Sequence, residues 1–191
     1  MMQKKTVIEY LRALDLLSPD LLGELLHLLS VEHLIPKQVW HAGVNTPGRV
    51  WYVEEGLVYA YYLRDDGQPV TTGFFGPGDT FLLYENSGPG NGSEYLEAIQ
   101  PSVLQAVSFN RLDGLFSRFD DMRSLAAYIL RKHQFREVFR MRLLDLSATQ
   151  RYREFRKAFP HLFSLVPLRL IASYLHMSRE NLSRLIGRDR D

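Results

Sequence analysis

Residues 168–187 read LRLIASYLHMSRENLSRLIG, and their apolar positions recur at the offsets expected of two short helices that cross each other. Ala172 is the small residue that such a crossing requires, and Ser178 is placed to cap the start of the second helix. Pro167 opens the first helix, where its missing N–H costs nothing. The positions predicted to be buried around the crossing are Ile171, Leu175, Met177, Leu182 and Leu185. The stretch is therefore a candidate helix-turn-helix.

The turn between the two helices contains His176, where glycine would adopt a left-handed backbone at the lowest cost. Histidine enters that conformation more readily than β-branched residues do. We therefore expect a strained but intact turn.

The second helix is predicted to expose a polar face that suits the major groove of DNA. Arginine can form a bidentate contact with guanine, glutamate can accept from cytosine, and asparagine can pair with adenine. The two serines are better suited to phosphates. The predicted DNA-binding residues are Ser178, Arg179, Glu180, Asn181, Ser183 and Arg184. An ordinary pair of amphipathic helices at the end of a domain is the alternative for the same pattern.

The charge of the chain divides sharply along its length. Residues 1–130 hold 9 basic and 16 acidic side chains, whereas residues 131–191 hold 14 basic and 6 acidic ones, for a net charge of +8. The whole chain carries only +1. A cationic segment suits a polyanion such as nucleic acid, although a solvated helical surface would give the same counts.

The region before this segment shows two sequence patterns, one typical of helices and one typical of strands and turns. Apolar spacing predicts a helix over residues 7–17 and a second helix that reaches Leu29, with Ser18 as its cap and Pro19 in its first turn. Residues 36–110 hold 10 of the 13 glycines and 6 of the 9 prolines, which separate short segments rich in Val, Tyr and Phe. An Asp66-Gly67 turn joins two of these segments. The predicted strands are 39–44, 49–53, 57–63, 69–75, 80–84, 95–100 and 103–109. Short strands at this spacing indicate an antiparallel jelly-roll barrel and an α+β fold.

Helical periodicity returns after the barrel. One set of apolar positions is spaced by alternating steps of four and three, which favours a helix that pairs with a second copy of the chain. These positions are Leu115, Phe119, Met122, Ala126, Ile129 and His133. A second face, Leu112, Phe116, Leu125 and Leu130, is assigned to the barrel. Packing of the first face on the chain's own barrel is the alternative. We predict an effector barrel with N-terminal helices over 1–110, a dimerisation helix over 111–134 and a helical DNA-binding unit over 135–191.

Composition excludes several kinds of function. The chain has no cysteine, which rules out disulfides, thiolate zinc sites and cysteine-ligated iron–sulfur clusters. No two of the six histidines lie three or four residues apart, and we predict neither a metal nor a cofactor. The barrel contains only His41, so a cupin-like enzyme is disfavoured and we expect no enzyme. An apolar run of 18 residues and a signal sequence are both lacking, which predicts a cytoplasmic protein with no membrane segment.

The order of parts resembles the Crp/Fnr family of bacterial transcription regulators, and especially its short members from Bacteroidetes-like genomes. The resemblance covers nearly the whole chain. Its most specific motifs are Gly56-Leu57-Val58 after Val53-Glu54-Glu55, the Phe75–Asp79 turn, Ile171–Leu175 and Met177–Arg184. The resemblance implies a homodimer that binds double-stranded DNA, with Arg179, Glu180 and Arg184 at the base-reading positions. After the second helix of the motif only residues 187–191 remain, which are too few for the β-hairpin wing found in many members.

The chain departs from the family's cyclic-nucleotide binders. Those members use a Gly-Glu pair for the ribose and an Arg-Ser pair for the cyclic phosphate. This chain has Thr80–Tyr84 and Gly90–Glu94 around the corresponding positions, and no arginine lies between Arg64 and Arg111. Glu85, Glu94 and Glu97 would repel the phosphate. We therefore expect no response to cyclic AMP.

Aromatic residues of the barrel offer a pocket for an unknown small-molecule effector, although such residues are more often core. They are Trp51, Tyr59, Tyr61, Tyr62, Phe74, Phe75, Phe81 and Tyr84. The rival interpretation of the whole chain is a small-ligand-binding barrel whose helical tail serves dimerisation only.

Overall fold

The structure is a computed structural model, and it describes residues 6–41, 48–83 and 94–189. These residues form helices and strands in the order α1 Val7–Ala13, α2 Pro19–Leu28, β1 Ser30–Leu34, β2 Val39–His41, β3 Arg49–Glu55, β4 Val58–Leu63, β5 Pro69–Phe75, β6 Thr80–Leu83, β7 Glu94–Ala98, β8 Ser102–Ser108, α3 Phe109–Arg118, α4 Asp121–Leu144, α5 Ala148–Ala158, α6 Leu162–Leu165, α7 Leu168–Tyr174 and α8 Arg179–Arg188. Within those three ranges, every helix is too short or too polar to cross a bilayer.

The strands form two four-stranded antiparallel sheets, ordered β1-β8-β3-β6 and β2-β7-β4-β5. This arrangement confirms the predicted jelly roll and α+β class. β1 was not predicted, because its two apolar residues, Val31 and Leu34, lie three positions apart and do not alternate as strand residues do. The ends of predicted strands 39–44 and 80–84 lie outside the described residues. The barrel interior is filled by aromatic and aliphatic side chains such as Trp51, Phe81, Leu96 and Leu104.

The connection from β3 to β4 carries the chain from one sheet to the other. Gly56 makes this step with a φ of +92°. A Cβ atom there would lie 2.4 Å from the carbonyl oxygen of Pro101 and 2.6 Å from the Cα of Ser102. Ser102 Oγ in turn accepts a hydrogen bond of 3.1 Å from the backbone N–H of Leu57. Glycine is therefore required at position 56 for two reasons: the backbone is left-handed, and there is no room for a Cβ atom.

The hairpin between β4 and β5 confirms the predicted turn. Gly67 adopts a φ of +78°, and Asp66 Oδ1 accepts a bond of 2.9 Å from the backbone N–H of Gln68. A Cβ atom at Gly67 would meet nothing within 4 Å. Only conformation, and not crowding, selects glycine at this turn.

The N-terminal helices pack on the barrel beside β3 and β8. Ser18 caps α2 as predicted, since its Oγ accepts from the backbone N–H of Leu21. Thr6 caps α1 in the same way, and the buried carboxylate of Glu54 also accepts a 2.8 Å bond from the backbone N–H of Val7. This bond ties α1 to β3.

The face of α3 and α4 assigned to dimerisation was wrong, whereas the face assigned to the barrel packs there except at Leu130. Leu115 and Met122 are each 3% exposed and share one core cluster with Leu112 and Leu125 inside the chain. Leu130, assigned to the barrel, is 52% exposed. The cause is a break at Phe119, whose extended backbone separates α3 from α4 and changes the direction of the chain. The apolar positions spaced by four and three residues therefore do not lie on one continuous helix.

The helix α4 also continues past the predicted end at 134, to Leu144. Its exposed side presents a different apolar stripe, formed by Leu130, Val138 and Met141. At 100° per residue these three side chains lie within about one quarter of the helix circumference. This stripe is not the face that the sequence predicted for pairing.

A second core, separate from the barrel interior, joins the outer face of β4 to the C-terminal helices. On β4, Val58 and Ala60 face the barrel interior, while Tyr59 packs with the C-terminal helices. Leu57, just before the strand, belongs to that second core as well. The hydroxyl of Tyr59 donates a 2.7 Å bond to Glu97 at the edge of this contact. β4 is thus buried on both faces.

We predict that Gly56→Ala destabilises the protein more than Gly67→Ala. Both substitutions place alanine in left-handed backbone, at a cost of about 1–2 kcal/mol. Only Gly56→Ala adds a steric clash, which brings its expected total to about 3 kcal/mol or more. Urea denaturation followed by the fluorescence of Trp40 and Trp51 measures both losses. Equal losses for the two variants would contradict the crowding at Gly56.

Candidate nucleic-acid interface

The helices α7 and α8 form the predicted helix-turn-helix. Ile171, Leu175 and Leu182 are completely buried, and Ala172 is buried where the helices cross. Leu185 completes the interior as expected. Met177 is only partly buried, at the edge of the same cluster. The spacing of apolar residues in the sequence therefore predicted the core of the motif correctly.

The turn between α7 and α8 adopts the left-handed conformation that the sequence indicated. His176 has a φ of +49°. Its backbone N–H donates to the carbonyl of Ser173 at 3.1 Å, and the N–H of Met177 donates to the carbonyl of Ala172 at 3.0 Å. These bonds satisfy the last carbonyls of α7 and close the turn.

Arg151 of α5 holds this turn from outside the motif. Its Nη1 donates a bond of 2.7 Å to the carbonyl oxygen of Leu175. Sequence analysis gave Arg151 no role, because its partner lies 24 residues away and no local pattern marks the contact. A guanidinium bonded to a carbonyl at a helix end is a charge-assisted contact that stabilises the turn.

Both ends of α8 are fixed by side chains. Ser178 Oγ accepts a 3.1 Å bond from the backbone N–H of Asn181, which confirms Ser178 as the N-cap. At the other end, Arg156 of α5 forms an ion pair of 3.1 Å with Asp189. The hydroxyl of Tyr152 donates to the same carboxylate at 3.2 Å. α8 is therefore held firmly against α5 and α7.

The outer face of α8 is polar and exposed. Arg179, Glu180, Ser183 and Arg184 are exposed there, and Ser178 is exposed at the start of the helix. Asn181 is half-buried, because its position turns toward the packed side next to Leu182. The structure thus brings five of the six predicted residues to one exposed surface and leaves Asn181 at its edge. Exposed Arg153 and Lys157 of α5 and Arg188 add positive charge to the same unit.

A cavity of about 550 Å³ lies between the barrel, α4 and the C-terminal helices. Of the aromatic residues predicted to line an effector pocket, Phe74 and Phe75 do so. Trp51 and Phe81 are instead core of the barrel, Tyr59 packs on the C-terminal helices, and Tyr84 lies outside the described residues. Arg136 of α4 lines the cavity too. No local pattern marks this role, because Arg136 lies on α4 and reaches the cavity from outside the barrel strands.

Metal ligands do not cluster in the part of the chain that the structure describes, since no group of three or more His, Asp or Glu side chains there could hold an ion.

Most of the chain superimposes on solved structures of bacterial regulators. A protein from Eubacterium rectale, described as a Crp/Fnr-family transcriptional regulator, matches with a TM-score of 0.72 and 15% identity over 95% of this chain and 87% of that one. FixK2 from Bradyrhizobium japonicum matches with a TM-score of 0.67 and 22% identity over 84% and 83%. The c-di-GMP-responsive global regulator CLP from Xanthomonas campestris matches with 0.63 and 19% over 91% and 92%.

The chain has the fold of the Crp/Fnr regulators. No protein-family model matches the sequence, and no curated protein matches it. Identities of 22% and below mean that fold, and not residue roles, is what this likeness establishes. Within the Crp/Fnr fold, the matched length includes both the barrel and the helix-turn-helix, so the order of parts inferred from the sequence is correct.

We predict that His176→Gly yields a more stable protein than His176→Ala, by about 1 kcal/mol. Both variants lose the imidazole, but only glycine removes the cost of a side chain in left-handed backbone. Comparing the two by urea denaturation isolates the strain from the loss of the ring. An alanine variant as stable as the glycine variant would show that the turn stores no such strain.

Proposed function

We propose that this protein is a homodimeric, sequence-specific DNA-binding transcription regulator that acts in the cytoplasm and has no enzymatic activity. The observation that carries the proposal is the exposed polar face of α8, which lies opposite the buried core of the helix-turn-helix. A helix of this kind enters the major groove with its N-terminal residues against the base edges. The net charge of +8 over residues 131–191 supports the approach to DNA.

The proposed contacts follow from the side chains of α8. Arg179 and Arg184 reach guanine, Glu180 accepts from cytosine, and Asn181 at the edge of the face pairs with adenine. Ser178 and Ser183 contact phosphates. The Oγ of Ser178 already accepts from the N–H of Asn181, which leaves its hydroxyl proton free for a phosphate oxygen. The positive end of the α8 dipole favours the same anion.

The proposed dimer forms through α4. Its exposed apolar stripe, Leu130, Val138 and Met141, supports pairing with the same stripe of a second copy. Because α4 continues to Leu144, the pairing surface extends past the 111–134 segment assigned to it. Two copies of α8 would then face a two-fold symmetric site whose half-sites lie about one helical turn apart.

The second candidate function is a small-ligand-binding barrel whose helical tail serves dimerisation only, and the cavity beside α4 favours it. Binding of genomic DNA fragments at a series of salt concentrations distinguishes the two. A DNA regulator loses affinity steeply as salt rises, because each neutralised phosphate releases counterions. A ligand-binding barrel shows no such dependence.

We predict that cyclic AMP does not bind. β6, near the position of the family's ribose-binding pair, is buried along its whole length. Arg136 approaches from α4, but it is already bonded to Asp79. A thermal-shift assay and calorimetry with cyclic AMP, with cyclic GMP as the matched control, measure this directly. Saturable heat or a clear rise in melting temperature with cyclic AMP would contradict the prediction.

We predict that Arg179→Ala and Arg184→Ala each weaken binding to the cognate site by about 1–3 kcal/mol. The site is first selected from random DNA with the unmodified protein, and affinity is measured by fluorescence anisotropy. Arg12→Ala is the matched control, because Arg12 is an exposed arginine of α1, which packs on β3. Unchanged affinity and footprint for both α8 variants would refute the assigned face.

A further inference from the structure

The hairpin between β4 and β5 lies against the turn of the helix-turn-helix. Ser173 Oγ donates a 3.2 Å bond to the carbonyl oxygen of Pro69, at the end of that hairpin. One residue earlier, the carbonyl of Gln68 accepts a 3.0 Å bond from the backbone N–H of Arg64. The carbonyl of Ser173 in turn accepts a 3.1 Å bond from the backbone N–H of His176. This short series of hydrogen bonds places Arg64 of the barrel near His176 of the turn.

Basic side chains from three elements surround His176. Arg64 of the hairpin, Arg140 of α4 and Arg151 of α5 all act on its imidazole electrostatically. Arg151 is also committed to the turn, because its Nη1 lies 2.7 Å from the carbonyl oxygen of Leu175 and 3.5 Å from that of His176. Arg140 and Arg151 are partly buried, whereas Arg64 and His176 are exposed. Arg64 and His176 are therefore the members of this cluster that a large ligand can reach.

The imidazole of His176 is uncharged in the free protein at neutral pH. Partial burial lowers its pKa below the ordinary value of 6.5, and the charges of Arg140, Arg64 and Arg151 lower the pKa further. An anion beside the ring has the opposite effect, because a nearby opposite charge favours the charged form. An anion that binds here therefore brings a proton onto His176, and it binds more tightly as the pH falls.

The acidic tip of the hairpin does not cancel this basic cluster. Asp65 and Asp66 follow Arg64 in the chain. The Oδ1 atom of Asp66 accepts a 2.9 Å bond from the backbone N–H of Gln68, which holds that carboxylate within the turn. The three side-chain charges that act on His176 are all positive. The local charge at His176 therefore favours an anion.

The position of the cluster favours the backbone of DNA as that anion. Ser178, proposed above as a phosphate contact, lies two residues after His176 and begins α8. When the first residues of α8 stand against the bases, the turn before them lies at the edge of the groove, where the phosphates are. A guanidinium can bind a phosphate through two parallel hydrogen bonds, and a protonated imidazole can donate another.

We propose that Arg64 and the protonated His176 together bind a phosphate of the DNA backbone, so that the β4–β5 hairpin of the barrel forms part of the DNA interface. This inference rests on the proposed DNA-binding function and extends the interface beyond residues 135–191. The contact carries no sequence information, because every site offers the same phosphates. It has two measurable consequences: Arg64 contributes to the salt dependence of binding, and binding takes up a proton at His176.

The salt dependence of binding measures the contribution of Arg64. The full-length protein and Arg64→Ala are titrated by fluorescence anisotropy against the selected site and a duplex of scrambled sequence, at about 50 to 200 mM salt. We expect Arg64→Ala to weaken both complexes by a similar factor of about tenfold. We also expect the slope of log affinity against log salt to become shallower by about one. Arg12→Ala, at an exposed arginine of α1, should change neither quantity.

The pH dependence of binding measures the contribution of His176. Affinity for the selected site is compared at about pH 8 and about pH 5.5, on either side of the usual pKa of histidine. The matched variant is His176→Asn, because asparagine tolerates the left-handed turn and does not titrate. We expect the affinity of the unmodified protein to rise about tenfold more over this interval than that of His176→Asn. Arg64 is exposed in the hairpin, so Arg64→Ala keeps the test decisive if His176→Asn fails to fold.

Two results would overturn the proposal. One is an Arg64→Ala variant that keeps the full salt slope, and the other is a folded His176→Asn variant with the pH dependence of the unmodified protein. Either result leaves DNA binding by the unmodified protein intact and so refutes this contact alone. Failure of the unmodified protein to bind DNA at any pH would instead refute the proposed regulator function, and this contact with it.

Discussion

The architecture depends on how the first helix of the helix-turn-helix closes the edge of the barrel. β5 is an edge strand, and its open backbone groups need partners. Ser173 of α7 supplies them, since its Oγ accepts from the N–H of Thr71 at 3.0 Å and donates to the carbonyl of Pro69 at 3.2 Å. Tyr174 packs beside this contact, on Phe74. The helical unit is thus part of the core, and its position is set by the barrel.

This contact explains why α8 can be exposed and still be well placed. α7 is held by the barrel edge, Arg151 of α5 binds the carbonyl at the turn, and Arg156 pairs with Asp189 at the end of α8. These three contacts lie on the inner side of the helix-turn-helix, and the outer face of α8 stays exposed. A polar face on such a rigid base keeps a fixed geometry, which sequence-specific recognition requires.

The same contact creates the cavity. The C-terminal helices meet the barrel along β5 and the outer face of β4, and a space that Arg136 lines remains where α4 passes across the barrel. The Arg136–Asp79 pair joins the long helix to the turn before β6. The cavity, α4 and the helix-turn-helix are therefore neighbours in one packed structure.

Local patterns in the sequence determined the helix-turn-helix, the capping residues Ser18 and Ser178, the left-handed turn at His176 and the succession of short strands and turns in the barrel. Each of these depends on residues within one or two turns of each other, or on glycine at a position that only glycine tolerates easily. Tertiary structure alone decided the faces of α3 and α4, because the break at Phe119 rotates two segments that look continuous in sequence. It also decided the double burial of β4, the edge contact of Ser173 and the roles of Arg136 and Arg151. These features join residues that are far apart in the chain, so their free energy has no signature in local spacing.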